Sequence, residues 1–104
     1  MEYNVIISSR AKQDISKIGK YIAIELYSPV AARKLMNEIE NQITNLSHMP
    51  KRFALVSDER LALLDIRSVP VKNYNIFYIV SEHTAAVTII SIIYHKRDWT
   101  NLLQ

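Results

Sequence analysis

Tyr74-Asn75-Ile76-Phe77-Tyr78-Ile79-Val80 and Val87-Thr88-Ile89-Ile90-Ser91-Ile92-Ile93-Tyr94 are the two stretches that decide the fold. Both are rich in β-branched and aromatic residues, and both are apolar on each alternating set of positions. That pattern predicts central strands covered on two sides. Ser81 to Thr84 joins them as a tight hairpin, and Lys72-Asn73 supplies a turn in front of them. The run Leu64 to Val71 is therefore a third strand. It alternates, slips phase near Ser68 and contains Pro70, whose missing N–H assigns its end to an edge, bulge or turn.

Outside this sheet the period changes. Tyr3-Asn4-Val5-Ile6-Ile7 is a short strand candidate, and Ser8-Ser9 offer hydroxyls to cap a helix. Ala11, Ile15, Ile18, Ile22 and Leu26 then recur at helical spacing, with Lys12, Lys17 and Lys20 off that face. Gly19 inside this helix costs about 1 kcal/mol relative to Ala, and a close helix–helix approach is the expected reason. Ser28-Pro29 starts a second helix, carried by Ala32, Leu35, Met36, Ile39, Ile43 and Leu46 and closed by Pro50. The short join makes the two helices an antiparallel hairpin. Phe53 to Arg60 reads as irregular, and Trp99, Leu102 and Leu103 as one short closing helix. The order is β-α-α-β-β-β with a short C-terminal helix. Segregated strands and helices predict an α+β fold, one antiparallel sheet packed by a helical hairpin.

The chain has 104 residues, which predicts a single domain over residues 1–104. Apolar residues make up 49% and charged residues 22%, a composition that buries a core rather than remaining disordered. Absence of cysteine rules out disulfides, thiolate metal sites and cysteine nucleophiles, and suits a reducing cytoplasm. The longest apolar stretch, Ala85 to Tyr94, is far short of the ~20 residues a bilayer span needs. Met1-Glu2-Tyr3-Asn4 lacks the basic start of a secretion signal. Cytoplasmic location without a membrane partner is the expectation. The net charge of +3 permits a nucleic-acid partner, yet no basic stripe concentrates it.

Arg67-Ser68-Val69-Pro70-Val71-Lys72-Asn73-Tyr74 leading into the aromatic strand, and the last strand ending in His95-Lys96-Arg97-Asp98-Trp99, resemble the core of the RelE/ParE superfamily of bacterial type II toxins. Ser28-Pro29-Val30-Ala31-Ala32-Arg33-Lys34-Leu35 and the later Leu46 to Pro50 resemble that family's second helix and its exit. The resemblance implies a toxin of a plasmid stabilisation-type toxin–antitoxin module, neutralised by direct binding of a cognate antitoxin. RelE-like members cut mRNA on the ribosome; ParE-like members inhibit DNA gyrase and are not nucleases.

Cleaving RNA through its own 2′-hydroxyl needs a base, an acid and positive charge at the phosphate. His95 suits the acid or base role and Arg67 a bidentate hold on phosphate, so these are the candidate catalytic residues. Lys72, Lys96 and Arg97 are the candidate phosphate or nucleic-acid contacts. The chain departs from the nuclease pattern in two places. Lys96 stands where nuclease members carry a tyrosine, and Asn75 where they carry an arginine; Glu59 and Lys51-Arg52 are possible stand-ins for the remaining members of the set. Structural readings stand beside these: His95 bonding a carbonyl at a strand end, Arg67 paired with Asp65 or Asp98, Lys96-Arg97 as a solvated exit. His48 and His83 lack metal-ligand spacing with His95, and no Gly-rich loop cradles a nucleotide, so no metal or cofactor is expected. On this reading a ribosome-dependent mRNA endonuclease is favoured over a gyrase inhibitor, with a non-toxic binding module of the same fold as the third possibility. The apolar sheet is expected to keep some surface open for an antitoxin segment, folded across it as a helix or an added strand, its acidic residues meeting Arg67, Lys72 or Lys96-Arg97.

Overall fold

The structure, a computed structural model, describes residues 2–103. Strand β1 (Asn4–Ile7) leads into α1 (Ser9–Lys20), which runs on as a π-helical segment, Tyr21–Glu25. Helix α2 (Pro29–Asn45) returns, and a 3₁₀ turn at Pro50–Arg52 and the short α3 (Glu59–Ala62) follow. Strands β2 (Ile66–Val71), β3 (Tyr74–Ser81) and β4 (Ala86–Tyr94) form the sheet, and α4 (Trp99–Leu102) closes the chain.

The local signals act much as the sequence implies. The Ser8 hydroxyl accepts from the Ala11 N–H and caps α1. Pro29 opens α2, although the Ser28 side chain makes no capping bond there. Opposite Gly19, a side-chain carbon would meet Met36 Sδ of α2 at 3.4 Å, so the two helices do approach closely at that point. Asp58, inside the stretch expected to be irregular, caps α3 by accepting from the Leu61 N–H.

The sheet order is β1-β4-β3-β2. Strands β2, β3 and β4 pair antiparallel, whereas β1 pairs parallel to β4, making the sheet mixed rather than wholly antiparallel. The physical reason is the connection: the helical hairpin is long enough to carry the chain back across the sheet, which a tight turn cannot do. Pro70 sits on edge strand β2, where a missing donor is tolerated.

Two cores follow from the two-sided apolar strands. Val69, Ile76, Tyr78, Val87, Ile89 and Ile92 pack under α1 and α2 with Leu35, Ile39 and Ile43. On the other face Ile66, Phe77 and Ile93 pack with Val56 and Leu61, while Trp99, Leu102 and Leu103 lie against them. A bulge reconciles these faces: Phe77 pairs with Ser91 but Tyr78 pairs with Ile89, leaving Ile90 as the extra residue. Odd-numbered Val87 and Ile89 face the helices before it, and even-numbered Ile92 after it.

The expectation of an uncovered sheet face is corrected here. The C-terminal segment folds back and roofs the second face, the Trp99 ring lying 5.3 Å from Phe77. What stays open is an edge and a tip, described next.

Candidate functional site

Strand β4 is nine residues long, but β1 pairs only with its first four, Ala86 to Ile89. Beyond Ile89 the chain turns away into α1, and a cleft of about 1070 Å³ opens between α1, the start of α2 and the uncovered part of β4. Its lining is basic and aromatic. Arg10, Lys17, Lys34, Lys72 and Arg97 reach it, together with Tyr21, Tyr74 and Tyr94. Asp14 and Glu38 are the acidic residues of that lining, and both are engaged. Glu38 Oε1 lies 3.8 Å from Lys72 Nζ. Asp14 Oδ2 accepts from the buried Ser91 hydroxyl at 2.5 Å and from the Ile92 N–H at 3.1 Å. Arg10 donates to the Leu102 carbonyl at 2.5 Å and closes one end. Tyr74 and Tyr94 meet edge to face at 5.6 Å, and burial followed by the two neighbouring phenols raises the Tyr74 pKa.

Of the residues singled out by sequence, Lys72 and Arg97 line this cleft. His95 stands beside it, its ring 4.9 Å from that of Tyr94. His95 Nδ1 lies 2.8 Å from the Asn73 carbonyl oxygen, and the His95 backbone N–H donates to the same oxygen. A carbonyl only accepts, so Nδ1 carries the proton and Nε2 is the ring's open position. Lys96 is an exposed residue of the turn after β4. These four therefore collect at the end of the sheet that carries the β2–β3 turn.

Arg67 lies elsewhere. It pairs with Tyr78, four residues back along β2 from Val71, or ~13 Å at ~3.3 Å per residue. Its guanidinium donates to the Phe53 carbonyl at 2.7 Å and the Lys51 carbonyl at 3.3 Å, and is paired with neither Asp65 nor Asp98. The neighbouring cations are engaged as well. Lys51 Nζ lies 3.0 Å from Glu82 Oε1, and Arg52 donates to the carbonyls of His48 and Met49 beyond the end of α2. Glu59, on α3, belongs to neither group.

Beneath Arg67, the buried Tyr78 hydroxyl donates to the Pro50 carbonyl at 2.6 Å. Burial pushes the Tyr78 pKa from 10.0 to about 12, against the opposing pull of Arg67 and Arg52. A raised folded-state pKa means the unfolded chain releases this proton first. Stability is thus fully present below pH 10 and falls between pH 10 and about 12, by about 2 kcal/mol for this group. Urea midpoints measured across that window should fall more steeply for the native chain than for Tyr78→Phe. Parallel curves would show that the hydroxyl titrates as it does in water.

Sequence reasoning missed Asp14 and the hairpin tip. Ser91 gave a signal for the first, since a hydroxyl inside an apolar strand requires a partner. At the tip Tyr21, Ile24, Leu26, Tyr27 and Val30 form an exposed apolar cluster, Tyr27 at 89% and Val30 at 73% exposure.

A four-stranded mixed sheet under a helical hairpin, with cations gathered at one sheet end, is the architecture of the RelE-like and ParE-like toxins. It is similar to a chain of a chromosomal ParDE toxin–antitoxin system from P. aeruginosa, at TM-score 0.72 and 17% identity over 89% of this chain and 96% of that one. It is also similar to a chain of the RelBE2 toxin–antitoxin complex from Mycobacterium tuberculosis, at TM-score 0.67 and 16% identity over 90% and 99%. A mutant of E. coli toxin RelE in the free state gives TM-score 0.68 and 14% identity over 98% and 93%. No curated protein matches the chain. Residues 5–99 match the family described as the ParE toxin of the type II toxin–antitoxin system parDE, and the chain belongs to that family. It is the toxin of a type II toxin–antitoxin module. No helix among the described residues is long and apolar enough to cross a membrane.

Proposed function

We propose that this toxin arrests growth by binding a protein target, in the manner of ParE-like inhibitors of DNA gyrase, rather than by cleaving mRNA. The observation that carries this reading is the separation of Arg67 from His95. RNA cleavage needs an acid–base group and a cationic anchor on one phosphate. Here the anchor candidate is held by two backbone carbonyls, and the imidazole stands some four residues further along the sheet. The ribosome-dependent endonuclease favoured by the residue types alone is thereby weakened, because the two groups it pairs do not face one another. A protein-binding toxin also has a use for the exposed apolar tip, a kind of surface that monomeric proteins otherwise cover.

Replacing His95 by Gln keeps its size and its bond to Asn73 but removes proton transfer. On this reading His95→Gln remains fully toxic, and induced cells show supercoiling defects while their mRNA stays intact. A-site mRNA cuts that vanish in His95→Gln, with a loss of about 10²–10⁴ in cleavage rate, would restore the nuclease.

A further inference from the structure

We propose that the uncovered edge of β4 at Ile92–Tyr94 is a strand-addition site for an extended, acidic segment of the antitoxin. The inference rests on the toxin–antitoxin reading and goes beyond it by fixing the docking mode and the edge that is used.

The backbone argument comes first. In a strand, the N–H and C=O of one residue lie on the same side, and the side alternates from residue to residue. Ile90 and Ile92 point away from β3: the Ile90 carbonyl accepts from Ser8 Oγ at 2.9 Å, and the Ile92 N–H donates to Asp14. The Ile92 carbonyl and the Tyr94 N–H must then point the same way. Neither has a partner among the described residues, since β1 ends at Ile7 opposite Ile89. These two groups have the spacing that a single residue of an added strand fills with its own N–H and C=O. The molecule already uses this edge once, for Asp14 occupies the N–H just before the open pair and does so with a carboxylate.

Charge selects the occupant. Lys17, Lys34 and Arg97 line the cleft with no ion pair among the described residues, while Asp14 is turned inward onto Ser91. An acidic segment neutralises them; a basic or neutral one leaves the cations facing a newly desolvated groove. Tyr21, Tyr74 and Tyr94 offer flat apolar walls to the alternate side chains of such a strand. A nucleic-acid strand satisfies the cations equally well but has no amide ladder to offer Ile92 and Tyr94.

The test is amide hydrogen exchange, read by NMR on the full toxin alone and in complex with the antitoxin encoded beside it. In the free chain the Tyr94 amide exchanges fast. In the complex it slows by about 100-fold or more, and at least one antitoxin amide gains matching protection. The double variant Lys17→Glu/Lys34→Glu weakens the complex about tenfold or more, and its binding loses salt dependence. Unchanged exchange in β2 and β3 shows that this variant is folded. A complex that leaves the Tyr94 amide fast overturns strand addition, while the partner itself stands. Failure of the two proteins to associate at all overturns the antitoxin reading and the docking mode together.

Discussion

Asp14→Ala lowers the melting temperature by roughly 10–20 °C, the largest single loss expected from a partly exposed position in this chain. The Asp14 carboxylate is the partner of two groups at once, the fully buried Ser91 hydroxyl and the Ile92 N–H. Alanine leaves both unpaired, and a buried polar group without a partner costs about 1–3 kcal/mol. The sum is about 3 kcal/mol, and each kcal/mol moves a domain of this size by about 4–8 °C. Asp14→Asn retains an acceptor oxygen and so loses less. Removing the second partner tests the account: Asp14→Ala/Ser91→Ala should be more stable than additivity of the two single changes allows. Thermal unfolding of the four proteins measures it. A drop of only a degree or two for Asp14→Ala would mean that water replaces the carboxylate without loss.

Ile24→Glu/Tyr27→Glu abolishes growth arrest while leaving the fold intact. Both side chains are exposed, at 64% and 89%, and sit where the π-helical end of α1 turns toward α2. Substitutions at such positions change stability by about 0.5 kcal/mol or less. Their effect on a protein target is of another order. If the tip is the working surface, each anchor contributes about 2 kcal/mol, and losing both weakens target binding about 10³-fold. Colony counts after induction, circular dichroism and co-purification with the antitoxin separate the possibilities. Undiminished growth arrest would place the working surface elsewhere.

How much of this was legible beforehand depends on whether a signal was local. The two central strands announced themselves because apolar residues on both alternating sets require cover on both faces. Ser8 and Pro29 marked helix starts through their own chemistry. Asp58 gave the same signal for α3, but a helix of one turn carries too little periodicity to stand out from its surroundings. Neither the parallel placement of β1 nor the bulge at Ile90 has a local signature, since each is set by what a strand meets across the sheet. The candidate site divides in the same way. Lys72, His95, Lys96 and Arg97 are close in space because the β2–β3 turn and the exit of β4 lie at one sheet end, which the strand order implies. Arg67 is four residues from that end, and its engagement by the Phe53 carbonyl depends on where a loop of no regular pattern comes to rest.

The placement of β1 also sets the tempo of synthesis. Asn4 pairs with Ala86 and Ile7 with Ile89, and the Tyr3 hydroxyl reaches Glu82. A chain growing from its N-terminus therefore holds β1 and both helices while the strand that must receive them has not yet been made. At about 5–20 residues per second, 104 residues take roughly 5–20 s, and β4 comes near the end of that interval. Most of the nascent chain consequently waits as an apolar hairpin without its sheet. The open edge of β4 and the hairpin tip assume their relation only near release, so the toxin becomes a toxin at the last moment of translation. An antitoxin already present in the cell meets it there, before it has had time to reach anything else.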